Sequence, residues 1–187
     1  MIGYHMPAVD GLRLTRETLV GIYNGRIQMW DDPELQIKNP QSLLPHKRIR
    51  VLARRDEAGV TGILTSALSS FDEEWAAFPG KFSDPQLKTP EGPSEFWPIN
   101  GTEYFIHTDV GMCTMILSIP YSVGYISVAE ATDWGIKLAT IENFNGEWVS
   151  PDKKVETSIL KDNVISKREL FAPVKRMEGS TVCLKNY

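Results

Sequence analysis

The stretch RIRVLARRDEAGVTGILTSAL, residues 48–68, decides the fold. Its first seven residues, RIRVLAR, alternate charged and apolar side chains and carry β-branched residues, which predicts a strand over 48–54. The run from about Val60 onward has helical spacing and small residues, which predicts a helix. Between them lies a short charged turn with one glycine, Gly59. A strand that runs straight into a helix predicts an α/β layer architecture, with Arg54 at the carboxyl end of the strand. Such a turn has chemical potential. The first amides of a helix lack intrahelical partners and lie at the positive end of its dipole. An arginine beside them adds a planar fork that matches an oxyanion.

The rest of the chain fits the same architecture. In GLRLTRETLVGIYNGRIQMW, Thr15 is placed to cap a helix whose stripe is Leu19, Val20, Ile22 and Tyr23, and Asn24-Gly25 is its stop. DDPELQIKNP predicts a turn and a short helix ended by Pro40. FDEEWAAF predicts a second short helical piece, and the Pro-, Gly- and Ser-rich stretch 79–98 predicts a loop. DVGMCTMILSIP reads as a buried helix ended by Pro120, SVGYISVAEA as a strand entering a helix or turn, IKLATI as a short strand and NFNGEWVSP as a turn. Composition becomes more polar after Pro151. The expected organisation is therefore one α/β lobe over 1–150 and a C-terminal extension or tail over 151–187.

The bulk properties narrow the function classes. The chain has 187 residues, 42% of them hydrophobic and 24% charged, as in a globular domain with a real core. A formal net charge of −4 argues against a nucleic-acid footprint, which needs a basic face. No apolar run reaches membrane-spanning length, and no charged-then-apolar leader stands at the start. The two cysteines, Cys113 and Cys183, give no metal spacing; they read as free thiols, or as one disulfide in an exported protein. Asn100-Gly101-Thr102 is a glycosylation sequon of a kind that arises often by chance.

Taken together, MPAVDGLRLTRETLVGIYNGRIQMWDDPEL, RRDEAGVTGILTSAL, FDEEW, FWP and IPYSVGYISVAEA resemble the PstS-like phosphate-binding proteins of ABC transporters, a branch of the periplasmic binding proteins. The resemblance covers roughly residues 4–150 in order and spacing, and GIYNGRIQMWDDP is its most specific part. It implies a ligand-binding lobe over 1–150, three-layer α/β/α of type II with a mixed, mostly parallel sheet, and an extracellular or periplasmic location. It also implies that the chain matches the second of two lobes that close on a ligand, so that a first lobe or a partner protein would complete the site.

In the resembled proteins the turn before the helix reads like R-x-D-G-S-G-T. This sequence keeps Arg54, Asp56 and Gly59, but has Glu57 for glycine, Ala58 for serine and Val60 for threonine. Thr61 supplies a hydroxyl one position on. Each hydrogen bond to a charged group is worth about 1.5–3 kcal/mol, so two lost hydroxyls would weaken anion binding by roughly two to four decades. The second cradle usually reads like G-N-D-G. Here it is His107-Thr108-Asp109-Val110-Gly111, with Gly111 kept and Asp109 in the place of asparagine. The resemblance thus implies a ligand set of Arg54, Asp56, Gly59, Thr61, Thr108, Asp109 and Gly111, in two turns that face one depression outside the strand ends.

Other candidates have plain explanations. His5, His46 and His107 are scattered, and only His107 has a neighbour of interest, Asp109. Asp72-Glu73-Glu74 and Asp31-Asp32-Pro33 read as helix starts, where carboxylates suit the dipole. Ser66, Ser69 and Ser70 lack a nucleophile-elbow context, and no Walker A or dinucleotide glycine pattern occurs. Trp97, Tyr104 and Phe105 could line the cleft or anchor loops and core. No catalytic residue, cofactor or metal is expected. Two function classes remain open: a non-enzymatic binding module for phosphate or another small anion, with a degenerate site, and a structural or protein-interaction domain of a larger extracellular or receptor protein that reuses the fold.

Overall fold

The computed structural model describes residues 1–56, 58–77 and 104–151, so the expectations for Glu57, the 79–98 loop, Trp97, the sequon, Cys183 and the tail lie outside the described residues. Strand β1 (Ile2–His5) is followed by the short β2 (Arg13–Leu14), helix α1 (Arg16–Tyr23) and helix α2 (Pro33–Lys38). Then come β3 (Arg50–Arg54), α3 (Gly59–Phe71), α4 (Glu73–Ala77), β4 (Tyr104–Ile106) and α5 (Asp109–Ser118). The described part closes with β5 (Ser122–Tyr125), α6 (Val128–Trp134), β6 (Lys137–Leu138), β7 (Thr140–Glu142) and β8 (Trp148–Val149).

The main sheet has the order β4-β3-β5-β1-β6. Strand β3 pairs in parallel with β4 and β5, whereas β1 runs antiparallel to both β5 and β6. One strand therefore opposes the other four: four strands share a direction, as expected, but the pairings divide evenly into two parallel and two antiparallel. Successive side chains of a strand point to opposite faces. On β5, a Cβ at Gly124 would meet Met112 and Ile116 of α5, while the Tyr125 ring meets Tyr23 of α1 edge-on at 6.3 Å. Helix α5 thus covers one face and α1 with α3 the other, giving the expected three layers. The core between them includes Tyr4, Leu19, Ile22, Leu52, Leu68, Met112 and Val123.

The helix ends follow the sequence signals. The Thr15 hydroxyl accepts from Thr18 N–H, Asp32 caps α2 through Glu34 N–H at 2.9 Å, and Asp72 accepts from Trp75 N–H at 2.6 Å. Asn24 ends α1, and Gly25 adopts φ +80, a left-handed value that favours glycine. Several boundaries differ. Strand β3 starts at Arg50, because Arg48 forms only an isolated bridge with Met29. Helix α2 stops at Lys38 with Asn39 as its cap; the Asn39 side chain bonds Leu35 O and both backbone groups of Arg13. The IKLATI strand is in fact two strands in two sheets: β6 pairs with β1, and β7 pairs with β2 and β8.

Candidate functional site

Arg54 is the last residue of β3, and its side chain is 4% exposed. Its backbone N–H donates to the Tyr125 hydroxyl at 2.8 Å, and that hydroxyl also meets Thr61 Oγ1 at 2.9 Å. Tyr125 therefore ties the end of β3 to the first turn of α3. Burial pushes the Tyr125 hydroxyl up to about 12, so it stays a neutral phenol. A Tyr125→Phe substitution should cost about 1–3 kcal/mol in a denaturant melt, because it removes the hydroxyl's bonds to the Arg54 N–H and to the buried Thr61 hydroxyl. An unchanged midpoint would show that the link carries no energy.

The guanidinium of Arg54 is fully directed. Its Nε donates to Asp56 Oδ1 at 2.6 Å and its Nη2 to Asp56 Oδ2, a two-pronged pair within the turn. Its Nη1 donates to Asp109 Oδ1, on the first residue of α5. Hydrogen bonding to Asp56, and then to Asp109, holds the guanidinium above its ordinary pKa. The Arg54 guanidinium holds the Asp56 carboxyl below the usual range, and the N–H groups of Asp56 and Thr108 act in the same direction. The Asp56 and Asp109 side chains are 33% and 47% exposed, so the buried cation is covered by two carboxylates at the surface.

The two turns do lie together, as parallel pairing of β3 with β4 requires: Arg54 is opposite Ile106, and α5 begins three residues later. Each remaining residue of the expected set has a definite place. Gly59 opens α3, and a Cβ there would meet nothing within 4 Å. Ala58 precedes it in extended backbone and caps α3 without any side-chain hydrogen bond. Thr61 is 0% exposed, and its hydroxyl turns inward to Tyr125. Thr108 caps α5 by accepting from Gly111 N–H at 3.1 Å. Its backbone has φ 66 and ψ 158, a region that glycine occupies far more readily. His107 is exposed. Sequence reasoning missed Tyr125; only the long-range pairing of β3 with β5 brings it beside Arg54.

Among the described residues no group of three or more His, Cys, Asp or Glu side chains could hold a metal ion, and no helix is long and apolar enough to cross a membrane. Cys113 is buried with a free thiol. Tyr104 packs partly buried against the core, and Phe105 is exposed on β4. His46 lies outside the site and pairs with Asp31 at 2.7 Å.

A family model described as "PBP superfamily domain" matches residues 1–175. The phosphate-binding protein PstS of Methanocaldococcus jannaschii is 30% identical over 166 residues, covering 85% of this chain and 40% of the relative. The PstS of Pasteurella multocida is 31% identical over 162 residues, covering 81% and 42%. Among solved structures, PstS from Borrelia burgdorferi matches with TM-score 0.52 and 20% identity over 85% of this chain and 51% of that one. A high-affinity periplasmic phosphate-binding protein, solved with phosphate bound, matches with TM-score 0.54 and 19% identity over 84% and 42%. The chain therefore spans less than half the length of these curated relatives.

Proposed function

The chain belongs to the PBP superfamily domain family, and from that premise we propose that it is a non-enzymatic, PstS-like binding module whose ligand seat is the depression between the α3 and α5 turns. It acts outside the cytoplasm, in the periplasm or extracellular space, in transport or sensing. Its ligand class is phosphate or another small oxyanion, and its anion site is weakened. One observation carries this reading: Arg54 stands at the carboxyl end of β3, between the starts of two helices. That is where open α/β sheets bind ligands, and where free amides favour an anion. The relatives' names supply the ligand class, and their greater length supports a complementary lobe or partner that closes the seat. The roles divide as follows. Arg54 and the amide of Gly59 face the ligand, Asp56 orients Arg54, Thr108 shapes the second turn by holding the Gly111 amide, and Thr61 positions α3 through Tyr125.

The second reading, a structural or interaction domain, is favoured by the internal pairing of Arg54, which lets the fold stand without a ligand. Titration calorimetry separates the two. At low salt the unmodified chain should show no micromolar binding of phosphate. Arg54 already holds the carboxylates of Asp56 and Asp109, so a ligand anion must compete with both for it, while micromolar affinity needs about 8 kcal/mol. Ala58→Ser with Val60→Thr restores two hydroxyls at the α3 start, and should improve affinity by about tenfold or more. Micromolar binding by the unmodified chain overturns the weakened site; no gain in the double variant favours the structural reading.

A further inference from the structure

We infer that Asp109 is an internal counter-ion, seated on Arg54 where a ligand anion would bind, and that it sets the charge class the seat accepts. This deepens the reading above and rests on it. The two carboxylates on Arg54 are not equivalent. Asp56 is local, two residues along the same turn, and binds the Nε and Nη2 edge. Asp109 is 55 positions away in sequence, reaches across from the start of α5, and takes the remaining nitrogen, Nη1. The Arg54 side chain is 4% exposed and that of Asp109 is 47% exposed. A ligand approaching the guanidinium from solvent therefore meets Asp109 first.

Among the described residues, Arg54 is bonded to two carboxylates, those of Asp56 and Asp109. An incoming anion must either displace Asp109 from Nη1 or share the guanidinium with both carboxylates, and each further negative charge on the ligand raises the repulsion. Asp109 is held in place by three features. It occupies the first residue of α5, where the helix dipole favours a carboxylate. Thr108 caps the same helix, and its backbone takes a glycine-like conformation that sets the direction of the turn. Gly111 lets the α5 start pack closely on β4, since a Cβ there would lie 3.1 Å from Ile106 and 3.4 Å from Thr108 Oγ1. The seat thus disfavours dianions more than monoanions. Asparagine at 109 would keep an oxygen for Nη1 while removing the charge.

The test is an NMR titration of the whole chain with inorganic phosphate at constant ionic strength. It follows the amides of Gly59, Val60 and Gly111 in the unmodified chain and in Asp109→Asn. The variant should bind phosphate at least about tenfold more tightly, the lower end of the one-to-three-decade influence of a neighbouring charge on an ionised group. The gain should be larger above the second ionisation of phosphate than below it. Equal titration of the two chains, or an equal gain at both protonation states, overturns the inference. If both chains bind equally and saturably, only the counter-ion role of Asp109 falls. If neither Asp109→Asn nor the Ala58→Ser/Val60→Thr chain gains anything, the binding reading falls with it.

Discussion

Replacing Arg54 with alanine should cost about 3 kcal/mol of folding stability and remove the Asp56 part of its acid dependence. Breaking a fully buried ion pair by deleting one partner costs about 3–5 kcal/mol. Here the arginine is buried, but its carboxylates are 33% and 47% exposed, so the loss sits at the lower end. The deletion leaves Asp56 and Asp109 facing each other without their shared cation. The pH signature has a definite sign. Asp56 is held below its ordinary range in the folded state. Its contribution is therefore fully present above the unfolded carboxyl pKa of about 4 and is lost as pH falls through the lower folded value. In the unmodified chain stability should fall on that acid limb; in Arg54→Ala the Asp56 part of the slope should disappear. Arg54→Lys should lie between them, since one ammonium cannot reproduce a fork bound along three directions. Denaturant melts between about pH 2 and pH 7 check this. A cost below about 1 kcal/mol would make the cluster a surface ion pair of ordinary weakness.

Local signals made part of this molecule legible in its sequence. The β3–α3 junction, the Thr15, Asp32 and Asp72 caps and the Asn24-Gly25 stop are set by neighbours a few residues apart, and they appear where the pattern put them. Strand β1 was not legible. Ile2–His5 is short, contains Gly3 and shows no clean alternation, yet it pairs on both edges. What makes it a strand is distant: a Cβ at Gly3 would lie 3.1–3.3 Å from Ile136, Ile116 and Ile126, so the glycine admits the layer above it. The three-residue β4 is likewise defined by its parallel pairing with β3. At the site, the resemblance placed Arg54 and Asp109 in facing turns, with Asp109 where asparagine is usual. The direct bond between them needs the backbone of Thr108 and the register of β3 with β4, neither of which is local. The inward turn of the Thr61 hydroxyl similarly depends on Tyr125, which is 64 positions away.

The largest stability loss should come from Trp30→Ala, at about 3–5 kcal/mol, and should leave the ligand seat unaltered. Trp30 lies in GIYNGRIQMWDDP, the most specific part of the family resemblance, and is 0% exposed. Its backbone N–H donates to Lys47 O at 2.9 Å, and its indole Nε1 donates to Tyr121 O at 2.9 Å. Tyr121 has φ 65, a left-handed value unusual for an aromatic residue. That conformation is fixed from three sides: Tyr121 N–H donates to His5 O at 2.7 Å, and its carbonyl accepts from both Arg50 N–H and the indole. The loop before β3, the end of β1 and the residue before β5 are therefore joined by hydrogen bonds through Trp30 and Tyr121. Alanine there leaves a large cavity, the mechanism behind the largest core losses, and removes a partly buried hydrogen bond. At roughly 2–4 °C per kcal/mol for a domain of this size, the melting temperature should fall by about 6–20 °C. Trp30→Phe should cost less, about 1–2 kcal/mol, because Tyr121 O keeps its bond from Arg50. The strand itself predicts the functional outcome. Arg50 lies at the Trp30 end of β3 and Arg54 at the other, about 13 Å apart at the usual rise per residue. The family's most recognisable stretch thus locks the amino end of β3, while ligand chemistry belongs to its carboxyl end. Trp30→Ala in an Asp109→Asn background, held below its melting temperature, should titrate with phosphate as Asp109→Asn alone does. A shift in that titration would couple the two ends of the strand and contradict the separation.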